Sequence, residues 1–171
     1  VCTVVETDAW RGPFSAKGIN LEFAKDPFEE LWEGRPSLPL GKAEIMPEDV
    51  SGESAQSKIA RLRQALKAEE VEGMLVTMLD EVAWLANLRG NDVEYNPVVA
   101  SYMLVTLDDA VLYVDERKLT DEVRGYLDAQ GITVAGYGDV WQALKEYGKA
   151  TILMQPSRCN AAAAKSVAKE K

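Results

Sequence analysis

TMLDEVAWLANLRGNDVEYNPVVASYMLVTLDDAVLYVD, residues 77–115, holds the two periodicities from which the fold is read. Its first part, LDEVAWLANL, places Leu79, Val82, Ala83 and Ala86 on one side of a helix, since residues three and four apart share a face. Asp80 and Glu81 open that helix, where carboxylates suit the positive end of its dipole. The spacing has Arg89, Gly90 and Asn91 breaking it. Beyond the polar run NDVEYNP, the segments ASYMLVT and AVLYVD carry apolar residues at the alternating spacing of strands. Leu107, Asp108 and Asp109 separate them with turn chemistry. The reading is a helix, a polar loop, and an antiparallel hairpin.

Working outward, Ser54 is placed to cap a helix whose Ile59, Leu62 and Leu66 face inward, with a buried strand at 74–77 after it. Downstream, TDEVRGYLDAQG predicts a capped helix ending at Gly131, and ITVAGY a strand. Asp139 with Gln142 predicts a capping box for the helix DVWQALKEYG. ATILM is a further strand, and Asn160 starts an alanine-rich terminal helix. Helices thus alternate with strands around one internal hairpin. That order predicts an α/β domain with a mixed β-sheet flanked by helices.

Residues 1–50 lack this regularity. VCTVVE predicts a short strand, and the Gly/Pro-punctuated WRGPFSAKG follows it. Asp26 and Pro27 open a short helix, FEELWEG, with Phe28, Leu31 and Trp32 on one face and Gly34 ending it. RPSLPLGKAEIMP reads as an extended strap, its Leu38, Leu40, Ile45 and Met46 laid onto a surface. The predicted organisation is an arm or linker plus strap at 1–50, then a domain at 51–171. An opening on VCTVVE without methionine fits a piece of a longer chain.

Composition narrows the function. The 171 residues carry 19 Lys and Arg against 28 Asp and Glu, a net charge of −9. That balance argues against nucleic acid or an anionic membrane as partner, since both need a basic face. Histidine is absent, so neither Ser-His-Asp nor Cys-His catalysis can be built from these residues alone. Cys2 and Cys159 lie near opposite ends and form no zinc-type pair. They could bond only if the fold joined the termini, and two free thiols are expected. Neither a signal peptide nor an apolar run long enough to span a membrane is visible.

One loop stands out. Arg89, Asn91, Asp92, Glu94 and Asn96 fall within LRGNDVEYNP, between a helix and the central hairpin, and loops on rigid α/β scaffolds are where sites concentrate. An arginine there could clamp a carboxylate or carbonyl. Against this stands the plainer reading that Arg89 pairs with Asp92 or Glu94 and pins the loop. Two carboxylates without spaced partners are a weak metal signal, so no metal site and no catalytic residue is assigned to the chain.

The run LDE-AWL-NLRG-DVE-NP-SY within residues 77–115 closely resembles the second N-terminal, or middle, domain of cytosolic three-domain Xaa-Pro aminopeptidases in the creatinase/prolidase family. FEELWEGRPSLP resembles the helix and Arg-Pro segment leading into that domain, and SKIARLRQAL the helix before its first strand. The likeness spans roughly residues 17–165. It implies a creatinase/prolidase N-terminal-domain fold of the RNase H-like type, lying between a first N-terminal domain and a C-terminal catalytic domain of the pita-bread fold.

The resemblance also implies a metallopeptidase, a hydrolase that removes the residue preceding proline from peptides. Its dinuclear manganese site would be held by Asp, His and Glu ligands of the catalytic domain, none of which lies in this segment. Expected partners are those two domains, proline-containing peptides, and a second copy in a homodimer. The expected compartment is the cytoplasm, with an organelle form left open. The segment itself is expected to be inactive, with Arg89, Asn91, Asp92, Glu94 and Asn96 shaping the cleft or a domain interface and Arg89 as anchor. The alternative is a non-enzymatic binding or scaffold module that reuses the same fold.

Overall fold

The structure, a computed structural model, describes residues 2–22, 24, 26, 28–147 and 150–167. At its centre the hairpin forms as predicted. Strand β4 (Ser101–Thr106) pairs antiparallel with β5 (Ala110–Val114), with Met103 opposite Leu112 and Leu104 opposite Val111. Strand β2 (Gly73–Val76) pairs antiparallel with β4, β6 (Thr133–Gly136) parallel with β5, and β7 (Ile152–Leu153) parallel with β2. The five-stranded sheet therefore runs β6-β5-β4-β2-β7 and is mixed.

Alternation along these strands divides the core into two layers. Val76, Met103, Val105, Leu112 and Val114 meet α4 (Ala55–Ala68), α5 (Leu79–Leu85) and α6 (Asp121–Ala129) on one face. Leu75, Leu104 and Tyr113 meet α7 (Val140–Glu146) and α8 (Ala161–Val167) on the other. Caps set several helix starts as the sequence indicates. The Ser54 hydroxyl accepts from the Ser57 amide (3.2 Å), that of Thr120 from the Val123 amide (3.2 Å), and the Asn160 side chain from the Ala163 amide (2.8 Å).

Four local readings are corrected. The stretch read as a strand, VCTVVE, forms none among its described residues: Thr3 is the N-cap and Val4–Glu6 the first turn of helix α1 (Val4–Ser15), which runs on through WRGPFS. Thr3 and Glu6 make a reciprocal capping box there, which offsets the poor helix preference of two valines and of Pro13, whose missing N–H leaves the Ala9 carbonyl without its helical donor. Helix α5 stops before Arg89, because Asn87 adopts a left-handed φ of 51°, and Leu88–Arg89 becomes strand β3. Strand β1 (Glu44–Ile45), in the strap, pairs with β3 in a small second sheet. The Asp139–Gln142 capping box does not form: Asp139 turns back to accept from the Gly136 amide (3.1 Å), and Gln142 donates to Glu146 (3.2 Å).

The strap is fastened only in its second half, where the Ala43 amide donates to the Lys118 carbonyl (2.9 Å) and the Met46 amide to that of Asn87 (2.8 Å). Helix α3 (Glu48–Ser51) follows it. Leu38 and Leu40 stay exposed, as do Phe28, Leu31 and Trp32 around the short helix α2 (Phe28–Leu31). The two ends of the fold do meet: Thr3 bridges Asn160, and the Ala161 amide donates to the Cys2 carbonyl (2.9 Å). Both cysteines remain free thiols, and burial pushes that of Cys159 up in pKa. No helix among the described residues is long and apolar enough to cross a membrane.

Candidate functional site

The polar loop runs from Arg89 at the end of β3 to the residues before β4, and its base is closed by backbone bonds. The Asp92 amide donates to the Val98 carbonyl (3.2 Å), and Val93 bridges Asn96. A methyl group on Gly90 would stand 2.6 Å from Val99 Cγ2 and 3.2 Å from the Val98 carbonyl oxygen, so glycine is what lets the loop lie this close to the core.

Asp92 braces the loop from inside. Its Oδ2 accepts from the Ala100 amide (2.6 Å) and forms an ion pair with the Lys118 ammonium, both side chains at most 2% exposed. Its Oδ1 is buried with no hydrogen-bond partner among the described residues. Lys118 belongs to a short 3-10 turn, Glu116–Lys118, between β5 and α6, and its carbonyl holds the strap at Ala43. One buried pair thus ties loop, turn and strap together.

Arg89 takes no part in that brace. Its Nη1 donates to the carbonyls of Ala83 (2.8 Å) and Leu88 (2.8 Å), satisfying one backbone acceptor in the last turn of α5 and one in β3. The ion pair that pins the loop is therefore Asp92–Lys118, not one from Arg89 to Asp92 or Glu94. The guanidinium is committed to these two carbonyls, while Asn91, Glu94 and Asn96 are exposed, Asn91 with its Oδ1 lying against Gly41 of the strap. Tyr95 stands at the tip, 97% exposed, on a left-handed backbone with φ of 61°. Of the five sequence candidates, Asn91, Glu94 and Asn96 form the outer surface; Arg89 and Asp92 support it from beneath.

A second buried amine escaped the sequence reading. Lys58 on α4 is 2% exposed, donates to the Trp84 carbonyl (2.8 Å) and to Asn87 Oδ1 (2.6 Å), and lies 4.5 Å from the centre of the Trp84 ring. Desolvation lowers its pKa. Beside it, α4 and α5 flank a largely apolar groove of about 510 Å³ floored by Met74 and Val76. None of the five loop candidates lines it. Among the described residues no group of three or more Cys, Asp or Glu is placed to hold a metal ion. With Asp92 spent on Lys118 and no histidine in the sequence, these residues do not fit a dinuclear centre.

A sequence profile of the creatinase/prolidase N-terminal domain matches residues 34–171. The chain belongs to this family. Its relatives include a probable Xaa-Pro aminopeptidase P of Fusarium vanettenii, 45% identical over 106 residues that make up 62% of this chain and 17% of that one. Aminopeptidase P1 of Arabidopsis thaliana is 38% identical over 141 residues, 81% of this chain and 22% of the relative. The chain thus spans about a fifth of the length of these two relatives.

Among solved structures, the X-prolyl aminopeptidase of Caenorhabditis elegans, described as a cytosolic enzyme with a di-nuclear active site, superposes with a TM-score of 0.90 at 24% identity. The match covers 98% of this chain and 28% of that protein, and it establishes the creatinase/prolidase N-terminal-domain fold for nearly all the residues. The α/β architecture with a mixed, helix-flanked sheet agrees with the sequence reading.

Proposed function

We propose that this creatinase/prolidase N-terminal domain is the non-catalytic middle domain of a metal-dependent, cytoplasmic Xaa-Pro aminopeptidase. In this reading, residues 1–50 are the arm and strap that join it to a first domain, and residues 51–171 are the domain proper. The metal chemistry would belong to a separate catalytic domain, where a dinuclear manganese centre would supply Lewis-acid polarisation of the carbonyl before proline. The observation that carries the reading is the similarity to aminopeptidase P1 over 81% of this chain but only 22% of the relative. A polypeptide nearly four times as long has room for chemistry that these histidine-free residues lack.

The domain's own contribution is to wall the cleft or a domain interface with the outer surface of the 89–98 loop. Asn91, Glu94 and Asn96 are exposed on a loop held from below by a buried ion pair, so they can meet a neighbour without rearranging. The complete enzyme is proposed to act as a homodimer.

The test compares the 171-residue chain with the full-length polypeptide on a proline-containing peptide, with manganese and with a chelator. The short chain is expected to release nothing, and the full-length protein to lose its activity on chelation. Glu94→Ala with Asn96→Ala, introduced into the full-length enzyme, is expected to alter KM or kcat while the melting temperature holds. A full-length protein without peptidase activity leaves the scaffold-module reading in its place. Unchanged kinetics in the double variant removes the loop from the cleft.

A further inference from the structure

The groove between α4 and α5 is open to solvent, yet its floor and walls are apolar. Met74 and Val76 floor it, Leu62 and Ala65 line it from α4, and Leu85 and Trp84 from α5. Its volume of about 510 Å³ falls in the range of small-molecule sites, ~300–1,000 Å³. Trp84 is 49% exposed, although tryptophan is highly buried on average. Leu153, in register with Met74 on the edge strand β7, is 44% exposed on the same face of the sheet.

Four charged side chains border the groove, and three of them are already engaged. The Lys58 ammonium donates to the Trp84 carbonyl and to Asn87 Oδ1 and lies over the Trp84 ring. Arg61 holds Glu53 through two hydrogen bonds, Nε to Oε1 (3.0 Å) and Nη2 to Oε2 (2.8 Å). Glu81 is ion-paired with Arg158. Asp80 is exposed and has no hydrogen bond or ion pair among the described residues. A carboxylate is at home in the first turn of a helix, but this one also stands beside an apolar wall with its charge unspent. The cations of the groove are thus satisfied by protein acceptors, and its free charge is negative.

We propose that the α4–α5 groove is a binding site for a small amphipathic cation, an organic ammonium whose apolar body fills the space over Met74 and Val76 and whose charge meets Asp80. Burial of the apolar body supplies most of the affinity, and the ion pair at the rim supplies the choice of sign. An anion of the same shape would face Asp80 and find Lys58 and Arg61 already bonded. The site is separate from the 89–98 loop, none of whose candidate residues lines it. It stands on the groove's own geometry and charge, independently of the enzyme reading.

Phenethylammonium is the probe, with 3-phenylpropionate as its anionic counterpart. Amide NMR signals of α4, α5 and β2 in the 171-residue chain should shift saturably with the cation, with a Kd on the order of 1 mM for so small a ligand. The anion should bind at least about fivefold more weakly. Asp80→Asn should weaken phenethylammonium roughly fivefold while the melting temperature holds, as an ion pair at an exposed rim requires. Ala65→Trp, at an exposed position of α4, should fill the groove and abolish the shifts. The full-length protein should bind the cation as the short chain does.

Shifts that fail to saturate, or equal affinity for the two probes, overturn a site that selects cations. An Asp80→Asn chain that binds like the parent removes the assigned carboxylate, and binding that survives Ala65→Trp removes the groove. Binding by the short chain with none by the full-length protein overturns the small-molecule occupant, because a protein surface then covers the groove.

Discussion

Asp92 and Lys118 are 26 positions apart in sequence, and neither has a neighbouring residue that announces the pair; each stands in a run that reads as solvated surface. Burial makes the pair conditional: either charge alone in that site is far costlier than both together. Asp92→Asn should therefore lower the free energy of unfolding by ~3–5 kcal/mol, read as a lower urea midpoint. Asp92→Asn with Lys118→Met should regain most of that loss, and a single variant within error of the parent would show that water reaches the ammonium. Tyr113 is the alkaline counterpart. Only 4% exposed, it has its phenol pushed up to about 12, chiefly by desolvation and then by Tyr147, Glu146 and Asp139. A phenol that stays protonated longer when folded stabilises fully below its ordinary value of 10, and that stabilisation is lost as pH climbs to about 12. Tyr113→Phe should thus flatten the stability profile between those limits. Identical alkaline unfolding midpoints for the two proteins, followed by circular dichroism, would refute it.

Elements whose signal is periodic were legible; elements set by a single residue were not. The alternation of Tyr102, Met103, Leu104 and Val105 between two faces is a property of the run itself, so β4 and its partner β5 could be read directly. Helix α1 was misread because its valines favour strands, while the Thr3–Glu6 capping box that overrides them lies in a short polar pattern. The end of α5 was misplaced because Asn87 competes poorly with a following glycine as a breaker, until its side chain is seen bound to Lys58 and to the Glu53 carbonyl. The candidate loop itself was found by polar density, but the inward turn of Arg89 depends on carbonyls that only the folded helix presents. Helix α6 offers a clean test of local preference against packing. A methyl group added at Gly125, mid-helix, would meet nothing within 4 Å. Gly125→Ala should stabilise by ~0.5–1 kcal/mol, since alanine loses less backbone freedom on folding. A lower melting temperature would mean that this helix face has a neighbour.

At the scale of the molecule, the sheet is buried by helices on both faces while the arm is held at its two ends. Thr3 and its neighbours are fixed to residues 156–161, and Lys42, Ala43 and Met46 to the body, whereas α2 between them has only its own turn. Opening energies should follow that asymmetry, because local stability reflects buried apolar contact and protected backbone bonds. Amides of β4, bonded on both sides and lined by residues such as Met103, Leu104 and Val105 with no exposure, should exchange hydrogen only through global unfolding. Those of Glu29 and Trp32, bonded within a single exposed turn, should exchange almost as fast as in an unstructured peptide. Mass-spectrometric hydrogen exchange on the 171-residue chain resolves the two regions. Protection of α2 equal to that of β4 would mean that the arm is folded into the body, and the contrast between a buried sheet and an exposed arm would not stand.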